Sequence, residues 1–231
     1  MTKRHAVMTI WAVLALLFLM AVMAPLTHIV GGVSWSSVFS SGAKAAEPEP
    51  STRLNTVLHP AIADPANIQP QRAEEIYQSI RDNLRDHYAR SGDPLFLAYQ
   101  SWKRFTRLPY RSPNHGERFV NHYANDLAGA YKEYEKAGVF PVGSIVIKDS
   151  FTVTGRGQVM TGPLFMMEKM PEGFPSLAGT WRFMMLRPDG TTVGLTGGVN
   201  EQAVRFCAEC HVKAGKDQDY LYFMPDEARL K

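Results

Sequence analysis

Gly143-Ser144-Ile145-Val146-Ile147-Lys148-Asp149 sets three β-branched residues side by side, just after Pro141. β-Branched side chains lose rotamer freedom in a helix and pack well on a pleated surface, so this run is read as a strand. Period-two alternation then places Ser144, Val146 and Lys148 on one face and Ile145 and Ile147 on the other. The β pattern continues downstream. Leu164–Lys169 and Trp181–Leu186 read as strands, and Pro188-Asp189-Gly190 turns into a further strand around Thr191–Leu195.

Upstream of Gly143 the pattern changes. Asn125 or Asp126 can cap a helix running through Lys136 and closed by Gly138. Glu117–Ala124 reads as a strand, and Arg111–Gly116 as a turn-rich loop. Pro70–Arg90 reads as a helix, with Ile76, Ile80 and Leu84 recurring every four residues and Ser91-Gly92 as a stop. His87 lies near that apolar stripe and is read as a helix-surface histidine rather than a metal ligand. A second helical stretch, from Pro94 to about Thr106, carries Leu95, Phe96, Tyr99, Trp102 and Phe105 as core residues. No internal repeat and no phosphate-binding loop is present.

Downstream of the strands, after Gly197-Gly198, comes Cys207-Ala208-Glu209-Cys210-His211. This is C-x-x-C-H, the attachment signature of c-type haem. The spacing has a mechanical reason: two nearby thiols add to vinyl groups on one edge of the porphyrin, and the following histidine is carried under the iron. These are the chain's 2 cysteines. A redox dithiol would want a thioredoxin-like context and leave His211 idle. A structural zinc site needs four ligands, usually from two such pairs. A disulfide across two residues closes a very short loop and stabilises little.

The position of the motif excludes two kinds of cytochrome. Small electron carriers are helical and bear C-x-x-C-H near the start, with a ligating methionine far downstream. Here the motif is near the C-terminus and Met224 is the only methionine after it. Four-helix cytochromes also carry a C-terminal motif, but four helices cannot be drawn through Val142–Leu195.

The chain opens Met-Thr-Lys-Arg-His, and residues 6–26 are apolar save for Thr9 and Pro25. A positive run before an apolar one is an export signal, and this one is also long enough to span a bilayer. Ala43-Lys44-Ala45 is a small-x-small cleavage candidate. Cleaved signal and retained inner-membrane tether both stay open, and either puts the remainder outside the cytoplasm, in the periplasm. The formal charge is +3, from 25 Lys and Arg against 22 Asp and Glu. Lys3, Arg4 and Lys44 account for the excess, so after residue 45 the remaining 22 basic residues match the 22 acidic ones. A neutral mature part gives no electrostatic case for nucleic acid. Residues 46–69, rich in Pro, Ala and small polar residues, read as a flexible linker. The organisation is then leader over 1–45, linker over 46–69, helical extension over 70–110 and haem domain over 111–231.

Several segments together resemble the cytochrome P460 family, which includes the β-sheet cytochromes c-prime. They are Tyr123-Ala-Asn-Asp, Phe140-Pro-Val-Gly-Ser-Ile-Val-Ile-Lys148-Asp, Gly162-Pro-Leu-Phe-Met-Met-Glu-Lys, Gly179-Thr-Trp181-Arg-Phe, Pro188-Asp-Gly, the haem motif, and Asp219-Tyr-Leu-Tyr-Phe. The resemblance implies an α+β fold: an antiparallel sheet with flanking helices, preceded by the helical extension. It implies one haem, usually in a dimer, with Cys207 and Cys210 as thioether anchors and His211 as the axial iron ligand. It implies a third covalent link through Lys148 in members that oxidise hydroxylamine and pass electrons to another cytochrome. Members of the c-prime type bind nitric oxide instead, and a non-enzymatic electron-transfer haem protein is the other alternative.

Read without the family, Lys148 is a strand-end lysine, solvated by default. If its face meets haem, desolvation favours the neutral, nucleophilic amine that a cross-link needs. Oxidation of a small nitrogen substrate also needs a proton acceptor. Glu168, Asp149, His115 and Glu209 are the candidates, with Glu168 placed first. Arg118 lies close to, but out of register with, a distal arginine of some relatives. The Met and Phe residues of Phe165–Met170 and Phe183–Met185 suit an apolar ligand pocket or an ordinary core.

Overall fold

The structure is a computed structural model and describes residues 64–230. The leader and most of the linker lie outside the described residues. Among the described residues, no helix is long and apolar enough to cross a membrane.

Helix α1 spans Pro70–Ala89, with proline in its first turn, where the missing N–H costs nothing. A short helix α2, Leu95–Ala98, runs into a 3-10 turn at Tyr99–Ser101. The strands follow: β1 Lys103–Arg104, β2 Tyr110–Ser112, β3 Arg118–Ala124, β4 Ile145–Val153, β5 Val159–Thr161, β6 Leu164–Lys169, β7 Trp181–Leu186 and β8 Thr192–Leu195. They form one sheet in the order β1-β3-β4-β6-β7-β8, with β2 on β3 and β5 on β4. Every pairing is antiparallel. Helix α3, Arg205–His211, carries the haem motif. The fold is α+β, as expected.

The sheet divides two hydrophobic clusters. On one face Phe119, Tyr123, Ile147, Phe151, Leu164, Met166 and Leu186 pack under α1 and α2 through Ile76, Tyr77, Leu84, Tyr88 and Phe96. On the other, Ala124, Val146, Met167, Trp181 and Phe183 pack with Ala208 of α3 and with Leu221 and Met224 after it. The alternation read in Ser144–Lys148 therefore separates two environments. Because α1 shares a core with four strands, the stretch 70–110 is built into the fold rather than appended to it. The end of the linker is docked as well: Ala66 N donates to Val153 O at 2.8 Å, and Gly155 N to Asp64 O at 3.0 Å.

Three local readings change. The helix expected over 94–106 stops at Ala98 and gives way to β1. Phe96 and Tyr99 are buried in the α1-side cluster while Phe105 is buried in the other, so the chain crosses the sheet edge between them. One helix face cannot serve both cores. Residues 126–136 form 3-10 structure kinked at Tyr134, whose φ is 51°, rather than a regular helix. The loop expected over 111–116 contains β2 and a 3-10 turn, and β5 has no counterpart in the sequence reading.

Candidate functional site

Helix α3 is only seven residues long and is held by what it packs against. Ala208 is buried against the sheet, Cys207 is half-buried and Cys210 is exposed. The imidazole of His211 is buried between two aromatic rings, 5.2 Å from Phe183 and 5.5 Å from Tyr222. Its Nδ1 lies 2.8 Å from the carbonyl oxygen of Tyr220. A carbonyl only accepts, so Nδ1 carries the proton and the lone pair falls on Nε2. That is the tautomer an axial ligand needs, fixed by a hydrogen bond of the kind that orients metal-bound histidines.

Lys148 stands on the same side of the sheet. Its cross-strand neighbours are His122 on β3 and Phe165 on β6, so the three side chains share one face. The lysine is 8% exposed. Burial lowers its amine to about 8, while the thiols of Cys210 and Cys207 pull it back up. Both cysteines therefore lie within electrostatic reach of the amine. Burial also pushes the Cys207 thiol up to about 12. The same face carries Phe165, Met167 and Phe183, all buried. The Met and Phe set is split by alternation: Met166 and Met184 face the α1-side cluster instead.

These residues fit a c-type haem. Two thiols at one edge, an imidazole with its lone pair on Nε2, an apolar sheet face and a buried amine form one site. Among the described residues, no cluster of three or more His, Cys, Asp or Glu stands ready to hold an ion by itself. One imidazole suits an iron that brings its own four porphyrin nitrogens.

The candidate bases separate. Asp149 points away from Lys148 into the α1-side core, where its carboxylate accepts from Tyr77 at 2.8 Å, Tyr99 at 3.1 Å and Asn121 at 3.2 Å. Glu168 alternates with Met167 and pairs with Arg182 at 3.3 Å, so it too is on the face opposite Lys148. Glu209 is exposed and paired with Arg205 at 2.9 Å. His115 differs from these three: its ring lies 4.9 Å from that of Phe165, the cross-strand neighbour of Lys148. Its Nδ1 is 2.8 Å from Ser112 Oγ, and Arg118 donates to its carbonyl at 3.0 Å. His87 travels with α1, on the far side of the sheet from His211. Met224 is fully buried in the core on the α3 side.

One group was not foreseen. His122, fully buried, has Tyr110 Oη 2.9 Å from Nε2 and Tyr131 Oη 2.7 Å from Nδ1. Burial, and secondarily Lys148, hold it well below the usual histidine range, so it is neutral. Its strand was legible, but its partners come from β2 and the 126–136 segment, and no spacing announces them.

Sheet, helix and motif together define the class, a c-type haem protein built on an antiparallel sheet with its haem-attachment signature on a short helix near the C-terminus. The family model for cytochrome P460 matches residues 97–223, more than half of the 231-residue chain. The chain belongs to the cytochrome P460 family. No curated protein matches it.

Proposed function

We propose that the chain is an exported mono-haem cytochrome that oxidises hydroxylamine or a related small nitrogen species and passes the electrons to another cytochrome. Cys207 and Cys210 anchor the porphyrin through thioethers, His211 ligates the iron, and Lys148 supplies a third covalent link. The observation that carries this reading is Lys148: a buried amine on the motif's side of the sheet, within electrostatic reach of both cysteines. A bound haem supplies an iron centre that takes the nitrogen ligand and accepts its electrons. The chain's residues do the rest. The face of Phe165, Met167 and Phe183 excludes water. His115, beside Phe165, takes up the substrate proton. The leader directs export, and the protein acts in the periplasm, free or tethered through residues 6–26.

The apolar face also favours a second reading, a nitric oxide binder without turnover. An optical spectrum and denaturing mass spectrometry of the exported protein decide between them. The expected result is a ferrous Soret band shifted to the red, with haem retained on peptides containing Lys148 and Cys207. In Lys148→Ala both features revert to an ordinary c-type pattern, with haem on the Cys207 peptide alone. A wild-type protein that already shows the ordinary pattern removes Lys148 from the mechanism, and one that binds nitric oxide without consuming hydroxylamine is the binder.

A further inference from the structure

Three residues that accompany the haem motif in the sequence, Lys169, Trp181 and Asp219, meet in one buried cluster that the proposed chemistry does not use. Lys169 Nζ donates to Asp219 Oδ1 at 2.5 Å. The side chains of this pair are 8% and 6% exposed. Phe140 N donates to the other carboxylate oxygen at 2.9 Å, and Trp181 Nε1 donates to the Asp219 carbonyl at 2.7 Å. The Lys169 amine also sits over the Trp181 ring, 5.1 Å from its centroid.

The segment so held is the one that bonds His211. Asp219 and Tyr220 are consecutive non-glycine residues at φ of 46° and 62°. L-residues do not hold two left-handed positions in a row unless their surroundings enforce them. The enforcement is visible on both peptide planes. The plane between Asp219 and Tyr220 is fixed by Trp181 on its carbonyl and by Tyr220 N donating to Gly215 O at 2.9 Å. The next plane is fixed by Leu221 N donating to Gln218 O at 3.0 Å, and it presents the Tyr220 carbonyl to His211 Nδ1 at 2.8 Å.

We propose that the buried Lys169–Asp219 pair is a positioning device for the axial histidine. It locks the left-handed corner whose carbonyl takes the Nδ1 proton, and so sets how much electron density the imidazole gives the iron. The inference rests on His211 being the iron ligand. A buried charge deprived of its partner does not stay where it was, so loss of Lys169 releases the corner and weakens the Nδ1–H···O bond.

The test is resonance Raman spectroscopy and spectroelectrochemistry of the haem-loaded full chain. Lys169→Met is expected to lower the ferrous iron–histidine stretching frequency and raise the reduction potential, because a less imidazolate-like ligand donates less. Lys169→Arg, which keeps a cation against Asp219, is expected to restore both toward wild type. Glu74→Gln, which removes an ion pair on the far side of the sheet, leaves both unchanged although it lowers stability. If Lys169→Met does not accumulate, Asp219→Asn and Lys169→Gln, which break the same ion pair, carry the same prediction. Frequencies and potentials equal to wild type in whichever of Lys169→Met, Lys169→Gln and Asp219→Asn folds would overturn the proposal. A wild-type protein with no iron–histidine band would instead overturn the ligand assignment on which it rests.

Discussion

Replacing Asp149 by asparagine should stabilise the protein at neutral pH. Asp149 is fully buried, and its carboxylate accepts hydrogen bonds from Tyr77, Tyr99 and Asn121. Burial pushes its carboxyl from 3.8 up to about 6, against the opposite pull of those three donors. The folded value lies above the unfolded one. Between these values the folded state holds a proton that the unfolded chain has released, so stability falls as pH rises through the window and stays lower above it. About two pK units at about 1.4 kcal/mol each give roughly 3 kcal/mol of destabilisation at neutral pH. Asparagine keeps the shape and accepts at one atom, and its amide can donate to the tyrosine hydroxyls. Exchanging charged for neutral hydrogen bonds costs about 1–2 kcal/mol, which leaves a net gain of about 1–2 kcal/mol.

Two other groups tilt the profile the other way. Burial raises the Glu74 carboxyl, but Arg104 and Gln78 outweigh it and hold it low, so its stabilisation is lost as pH falls. His122 is buried neutral and held low, so the unfolded chain gains protons first as pH drops below the ordinary histidine value. The raw profile of the wild type is thus a sum of opposed slopes. The difference between wild type and Asp149→Asn isolates one of them. Urea denaturation followed by far-UV circular dichroism from about pH 4 to about pH 8 measures it. The advantage of the variant should grow from about pH 4 to about pH 6 and then level off. A difference that does not change with pH would refute the placement of a costly ionised carboxylate among these tyrosines.

His122→Phe leaves the buried Tyr131 hydroxyl without its partner and should cost about 1–3 kcal/mol. The double variant with Tyr131→Phe should recover part of that loss in a denaturation cycle, and strictly additive losses would show that the bond contributes nothing. Gly179 has φ of 63°, and a Cβ there would lie 2.6 Å from the Tyr220 ring. Gly179→Ala should therefore cost about 2–5 kcal/mol, combining left-handed strain with overpacking. A melting temperature equal to wild type would count against that contact.

How much of this was legible in the sequence depends on the reach of each signal. The strands Leu164–Lys169 and Trp181–Leu186 are found where aromatic residues and the flanking turn residues place them. The face of Lys148 followed from alternation alone. Asn125 was readable as a cap and does cap: its side chain accepts from Ala128 N at 3.1 Å. What spacing could not give is which element lies over each face. Glu168 is placed ahead of His115 on sequence alone, because choosing between them requires the register of β6 against β4. The tyrosines around Asp149 come from α1, the turn after α2, and β3, and no local pattern joins them. The Lys169–Asp219 pair spans fifty positions, and each partner alone reads as an ordinary surface charge.

Lys148 and Asp149 are adjacent in sequence and opposite in surroundings because a strand sends successive side chains to opposite faces. A slip of one residue in β4 would bury the carboxylate against the cysteines and the amine among the tyrosines. Both exchanges are unfavourable. The tyrosine cluster supplies hydroxyl and amide donors that suit an acceptor, and Asn121 Nδ2 has no use for an ammonium. The motif side supplies apolar rings and two thiols, which leave a carboxylate without donors. The register is pinned at several points. Asn125 Oδ1 accepts from Ile145 N at 3.0 Å, its Nδ2 donates to Gly143 O at 2.8 Å, and Ser150 Oγ donates to Pro163 O at 2.5 Å. These bonds lie away from the haem motif, yet they decide which of two neighbouring ionisable groups is on the motif's side of the sheet. Which ionisable group each face presents is in this sense a property of the sheet and its register.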